Sequence, residues 1–328
     1  MNNKILITGG CGFIGHHFVE HWLKTSKDEI IIFDKLNYAS EGFDRLRDIQ
    51  AYDDKRVTTL AVDFTKPLSE GVKREVGNVD YILHLGAETH VDNSIKDPIP
   101  FVMSNVVGTM YMLEYAKTIK DLKKFVYFST DEVFGPAPTD VNYKEWDRYN
   151  STNPYSSSKA GGEELCLAYA NTYNIPIIIT HTMNAFGERQ HPEKFIPLTI
   201  NKVLNEEEVT IHSNSTKTKS GSRFYIHCRN IAKAVDFLLT RGKNRDKYNI
   251  VGERELTNLG LAKFIAKVVG KPLHYKMVDF HSSRPGHDLR YSLDGTKMKK
   301  MGWKMPMKFE KSLEKTVKWT LENRRWLI

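Results

Sequence analysis

Cysteine is scarce in this chain: Cys11, Cys166 and Cys228 are three residues in 328, far apart and odd in number. No disulfide framework is expected, and a reducing cytoplasm suits such a protein. Long hydrophobic runs are also missing. No apolar stretch approaches the ~20 residues a membrane helix requires, and the segment from Met1 to Gly15 lacks a signal-peptide cleavage pattern. No internal repeat is present. His17 and His21 lie one helical turn apart, but no cysteine or acid completes a metal set around them. No metal is expected. Since 40% of residues are hydrophobic, wholesale disorder is excluded and a packed core is expected.

Charge is abundant but uneven. The formal net charge is +8, and the stretch from Asp294 to Ile328 holds ten Lys/Arg against four Asp/Glu. Phe309, Leu313, Val317 and Leu321 recur every four residues there, so the basic residues form the solvated face of an amphipathic helix. Nucleic acid is not an expected partner. An anionic small substrate is compatible with this balance.

The first half alternates β-branched runs with helical patterns, which predicts a parallel sheet covered by helices. Strands are expected at Lys4–Thr8, Glu29–Asp34, 57–62, 81–85, 124–129 and 176–182, with helices beginning near Phe13, Gly42, Leu68, Ile99 and Tyr155. From about Asn184 the pattern loosens, and the run from Ser213 to Ser222 reads as a polar loop between two short strands. The prediction is a Rossmann-type, doubly wound α/β sheet over residues 1–183, with residues 184–328 forming mostly a smaller C-terminal α/β substrate lobe.

The first strand runs into Gly9-Gly10-Cys11-Gly12-Phe13-Ile14-Gly15, and a helix follows. Glycines let backbone N–H groups approach a pyrophosphate at a helix N-terminus, where the dipole favours anions. Asp34 ends the second strand about 20 residues further on, placed to bond adenosine ribose hydroxyls. A carboxylate there repels the extra phosphate of NADP, so NAD is the expected cofactor. Asp63, after the third strand, is placed either to reach the adenine or to cap a helix.

Two constellations carry chemistry. Tyr155 and Lys159 lie one turn apart at the start of a helix and share a face. Bringing a phenol from its usual pKa near 10 to about 7 requires roughly 4 kcal/mol. An adjacent cation supplies one to three pH units of that, and an oxidised nicotinamide adds positive charge. The second group is Ser129-Thr130-Asp131-Glu132, at the end of the fifth strand, where open α/β sheets bind their ligands. Two adjacent acids whose environments differ can divide the work of general acid and general base.

These motifs, with His84-Leu85-Gly86-Ala87-Glu88, Asn105 and the run from Ser129 to Gly135, follow the order found in extended short-chain dehydrogenases/reductases. Within that family the chain resembles the dTDP-glucose 4,6-dehydratases, through the stretches 84–94, 105–109, 129–135, 192–197 and 284–291. Epimerases of the family look alike around Tyr155 but usually lack both acids. The resemblance implies NAD contacts from Gly9, Gly12, Phe13, Ile14, Gly15, Asp34, Lys35, Asp63, Leu85, Ala87, Tyr155 and Lys159. It places nucleotide-sugar contacts on Asn184, Glu193, Lys194, Arg223, Arg284 and His287. It also implies a homodimer built through a four-helix bundle from helices near Ile99–Lys117 and Tyr155–Tyr173.

The implied activity oxidises a nucleotide-linked hexose at C4 with Tyr155 as base and Thr130 holding the oxygen. Glu132 then takes the C5 proton while Asp131 protonates the departing 6-hydroxyl, and hydride returns to C6. The competing expectations are an epimerase or decarboxylase of the same fold, or a non-catalytic NAD-sensing regulator. Gly86, where alanine is commoner, Met183, and the run Ser222-Arg223-Phe224-Tyr225 depart from the family pattern. They leave the nucleotide base unread.

Overall fold

A computed structural model describes residues 2–280 and 289–328; Arg284 and His287 lie outside the described residues. Strands β1 (Lys4–Thr8), β2 (Glu29–Asp34), β3 (Val57–Ala61), β4 (Tyr81–His84), β5 (Lys124–Thr130) and β6 (Ile177–Thr182) match the sequence expectation closely. With Asp246–Ile250 they form a seven-stranded sheet ordered β3, β2, β1, β4, β5, β6, Asp246–Ile250. Every pairing in it is parallel. The strand order reverses between β1 and β4. In an open α/β sheet, ligands bind in the crevice beyond the carboxyl ends of the strands at that point.

Alternation along each strand feeds two separate cores. Ile5, Ile7, Ile30 and Ile32 face the helices Phe13–Thr25 and Cys228–Arg241, packing on Phe18, Trp22, Val235 and Leu238. Leu6, Ile31, Phe33, Ile82 and Phe125 face the other way, onto Met112, Leu113, Cys166 and Ala170 of Thr109–Ala116 and Pro154–Tyr173. Because both faces are covered, the strands read as continuous apolar runs. Burying each large side chain contributes about 1.5–3 kcal/mol.

The seventh strand lies beyond the predicted boundary at 183. After leaving the sheet, the chain packs Cys228–Arg241 beside Phe13–Thr25 and then pairs Asp246–Ile250 with β6. The lobe predicted as 184–328 therefore contributes to the first layer as well. Its signal is hidden because Lys247 and Asn249 are polar yet buried. Lys247 Nζ reaches the Tyr149 hydroxyl at 2.5 Å, and Asn249 N–H donates to Glu145 Oε1 at 3.2 Å.

The remaining C-terminal elements enclose their own core of Phe186, Ile196, Ile200, Leu261, Ile265, Phe309, Leu313 and Val317. The amphipathic helix is Phe309–Glu322, with Leu321 partly buried against that core. The polar run after Ser213 is a compact turn. Asn214 Oδ1 accepts from the N–H groups of Thr218 and Lys219, both at 2.9 Å.

Candidate active site

The glycine loop is built by close approach. A Cβ on Gly15 would lie 2.0 Å from Gly9 O, and Gly9 itself has φ +71°. The helix Phe13–Thr25 starts at Gly12 without a side-chain cap, so its first N–H groups face outward as an anion site. Asp34 braces this loop, accepting from Cys11 N–H at 3.0 Å and Leu36 N–H at 2.9 Å. Burial raises the Asp34 pKa, partly offset by those two bonds. The departure at Gly86 has a local cause. A Cβ there would lie 2.6 Å from the Phe64 ring, while Gly86 N–H donates to Thr8 Oγ1 at 2.9 Å.

The opposite wall is set by β5 and the helix Pro154–Tyr173. Asn153 caps that helix, accepting from Ser156 N–H at 2.8 Å in a capping box, with Pro154 in the first turn. This fixes Tyr155 at the helix mouth. A π turn at Met103–Gly108 presents Asn105, whose amide brackets Glu88. Its Oδ1 accepts from Glu88 N–H at 2.9 Å and its Nδ2 donates to Glu88 O at 3.0 Å. Beyond β5, the Thr130 hydroxyl accepts from Glu132 N–H at 3.3 Å and donates to Asp131 Oδ1 at 3.1 Å.

One continuous cleft of about 370 Å³ joins these walls. It is lined by the predicted residues Gly9, Gly12, Phe13, Ile14, Gly15, Asp34, Lys35, Leu85, Ala87, Thr130, Asp131, Glu132, Tyr155, Lys159, Asn184, Glu193 and Lys194. Asp63 is not among them; its carboxylate forms a turn with the Thr65 N–H and hydroxyl, at 3.0 and 2.7 Å. Arg223 does not line the cleft either. Its guanidinium lies 4.5 Å over the Tyr291 ring and donates to Leu289 O at 2.8 Å, and its charge still acts on Asp131.

The two acids occupy unlike environments. Asp131 is buried, and among the described residues its Oδ2 has no hydrogen-bond partner. Burial first, then the Glu132 charge, raise its pKa to about 7. Glu132 is half-buried, and its Oε2 accepts from Asn153 Nδ2 at 3.3 Å and the Tyr291 hydroxyl at 3.5 Å. Donors of this kind favour the charged carboxylate. Tyr155 and Lys159 are buried as well. Burial, reinforced by Glu132 and Asp131, pushes the Tyr155 phenol up despite Thr130. That direction is opposite to the one expected from Lys159 alone. Burial in turn draws Lys159 down to about 8.

Sequence reasoning missed several groups at the rim and beneath it. Tyr38, Glu88 and His191 also line the cleft, and Lys35 Nζ meets Glu88 Oε1 at 2.6 Å. Arg45 is fully buried and donates to Ala39 O at 2.9 Å and Arg189 O at 3.0 Å, tying two cleft loops together. No local pattern marks an arginine that bonds only to carbonyls.

Known proteins are similar to this chain over nearly its whole length. Residues 6–316 match the GDP-mannose 4,6 dehydratase family. The dTDP-glucose 4,6-dehydratase of Escherichia coli is 34% identical, covering 99% of this chain and 94% of that protein. A trifunctional UDP-glucose 4,6-dehydratase/UDP-4-keto-6-deoxy-D-glucose 3,5-epimerase/UDP-4-keto-L-rhamnose-reductase of Arabidopsis thaliana is 33% identical over 98% of this chain, which spans 48% of that longer protein. The crystal structure of DesIV, a dTDP-glucose 4,6-dehydratase from Streptomyces venezuelae with NAD and TYD bound, superposes with a TM-score of 0.88. It is 33% identical, covering 98% of both chains. This chain therefore belongs to the GDP-mannose 4,6-dehydratase family, within the extended short-chain dehydrogenases/reductases.

Proposed function

We propose that this protein is an NAD-dependent nucleotide-sugar 4,6-dehydratase, converting dTDP-glucose to dTDP-4-keto-6-deoxyglucose. The observation that carries this reading is the unlike pair Asp131 and Glu132 at the end of β5, in one cleft with Tyr155. An epimerase needs a base at C4 but no second acid–base pair for C5 and C6. A regulator that only bound NAD would need neither Tyr155 nor the acids.

The residues fit a dinucleotide. The loop from Gly9 to Gly15 offers uncapped N–H groups to a pyrophosphate, and Asp34, in the same cleft, would take the adenosine ribose hydroxyls. When bound, the oxidised nicotinamide supplies a hydride acceptor and a positive charge that, with Lys159, offsets the burial and carboxylate effects on Tyr155. Tyr155 takes the proton of the sugar 4-hydroxyl, and Thr130 holds that oxygen. The resulting ketone acidifies the C5 hydrogen, which lies within the range of a carboxylate only after this oxidation. Glu132, which accepts from Asn153 and Tyr291, removes it. Asp131, half protonated near neutral pH, donates to the departing 6-hydroxyl.

Asn184, Glu193 and Lys194, which line the cleft, contact the nucleotide diphosphate in this reading; the family resemblance adds Arg284, His287 and Arg223, the last from outside the cleft lining. Arginine suits a diphosphate because its fork donates in bidentate fashion. The protein is further proposed to act in the cytoplasm as a homodimer through a four-helix bundle. The helices Thr109–Ala116 and Pro154–Tyr173 pack together, and Ile95, Ile99, Val102, Met103 and Tyr173 are exposed on and beside them. Among the described residues no helix is long and apolar enough to cross a membrane.

A panel of nucleotide hexoses tests the substrate. The 4-keto product, read by its absorbance in alkali, is expected to form fastest from dTDP-glucose. Faster turnover of UDP-glucose or GDP-mannose would reassign the base and sugar, and no 4-keto product from any of them would overturn the activity.

A further inference from the structure

The helix Pro154–Tyr173 carries a third ionisable side chain on the face of Tyr155 and Lys159. Glu163 lies one turn beyond Lys159 and is fully buried. A buried carboxylate is costly unless it is paired and hydrogen-bonded, and Glu163 is met from three further elements. Ser129 of β5 donates to its Oε1 at 2.5 Å. His181 Nε2 of β6 lies 3.1 Å from its Oε2 and is itself 3.0 Å from Asn249 across its other nitrogen. The Tyr149 hydroxyl bonds to the same oxygen, and Lys247 Nζ stands 3.4 Å away. Burial opposes the charge, but His181, Lys247 and Ser129 hold the carboxyl down to about 2. It is an anion across the working pH range.

The ammonium of Lys159 is less well provided. It sits 4.3 Å over the Tyr127 ring, and Tyr127 donates to the Lys159 carbonyl at 3.1 Å. His84 of β4, drawn down to about 3 by burial and by Lys159 itself, stays neutral. The Cys166 thiol on the same helix is pushed up by burial and is also neutral. Among the described residues the Glu163 charge is the largest influence opposing burial at Lys159, ahead of Cys166. One of its contacts, Ser129, directly precedes Thr130, the last residue of β5, and Asp131 just beyond it. The cluster thus holds Ser129, next to Thr130, and lies one helical turn from Lys159.

We propose that Glu163 is a positioning residue of the reaction centre, fixing Ser129 behind Thr130 and keeping the Lys159 ammonium charged beside Tyr155. Its catalytic consequence rests on the dehydratase reading, but its effect on Lys159 does not. A core ion pair with Lys247 would serve packing alone, and the two roles predict different responses to losing either partner.

The test is an NMR titration of the full chain labelled with [13C]lysine, in which the Lys159 signal is identified by its loss in Lys159→Met. The unaltered protein is expected to titrate near 8. Glu163→Gln should lower that midpoint by about one pH unit or more. Lys247→Met, which leaves the Glu163 carboxylate in place one turn from Lys159, should raise it. In single-turnover oxidation at C4, Glu163→Gln should lose activity at lower pH than the unaltered protein, with KM little changed. An unmoved Lys159 midpoint in folded Glu163→Gln, or the same movement in both variants, would overturn the proposal. If Glu163→Gln does not fold, Lys247→Met decides: a raised midpoint supports the proposal and an unmoved or lowered one overturns it. A failure of the dehydratase reading shows separately, as absent turnover in the unaltered protein.

Discussion

Tyr155→Phe is expected to slow C4 oxidation by about 10²–10⁴-fold, the usual cost of losing a positioned base, while nucleotide-sugar and cofactor binding stay nearly intact. The ring keeps its volume, so its edge contact with Phe101, at 6.4 Å between centroids, survives the change. The capping box that aims the first helical turn involves Asn153 and Ser156 and is untouched. What disappears is the hydroxyl that accepts its charge only when positive charge offsets burial, Glu132 and Asp131. Single-turnover NADH formation reads this step directly. An unchanged rate would show that another group removes the proton.

Glu132→Gln is expected to separate oxidation from elimination. Glutamine retains an oxygen for the Asn153 amide but has no charge with which to remove the C5 proton. Tyr155 and Lys159 are unaltered, so bound NADH should accumulate while 6-deoxy product falls by about 10²–10⁴-fold. Asp131→Asn should stall at the same stage for the complementary reason, since an amide cannot protonate the leaving hydroxyl. The pH dependence follows from the raised Asp131 pKa of about 7. Elimination requires the protonated form, so it should weaken as pH rises through that value, and Asp131→Asn should abolish this limb. Full turnover in either variant would remove that residue from the mechanism.

Much of this site is written in local sequence. The glycine loop, Asp34 and the acid pair each sit at the end of a strand whose β-branched run is self-announcing, and strand ends are where this fold binds ligands. The amphipathic spacing of Phe309, Leu313 and Val317 likewise predicted the helix that covers the C-terminal core. Other features depend on partners distant in sequence. The strand Asp246–Ile250 was hidden because its polar residues are satisfied by Tyr149 and Glu145, roughly a hundred positions away. The short helix Val91–Lys96 is capped by His90 and has no amphipathic repeat long enough to read. The Asp63 carboxylate, beyond its own strand end, forms a local turn with Thr65, one of the two roles its position allowed. The direction of the Tyr155 shift was also illegible, because it is set by burial and by the acids Glu132 and Asp131 just beyond β5. Glu163 did carry a signal, four residues beyond Lys159 on the same face, but only its buried partners give that spacing meaning.

The central claim is that one hydride leaves C4 and returns to C6 within a single active site. Substrate deuterated at C4 decides it. The account predicts product labelled at C6, with no net release of NADH, because the same cleft holds Tyr155, Asp131 and Glu132. Stoichiometric NADH release, or label restored to C4 with inverted configuration, would contradict it and identify a simple dehydrogenase or an epimerase.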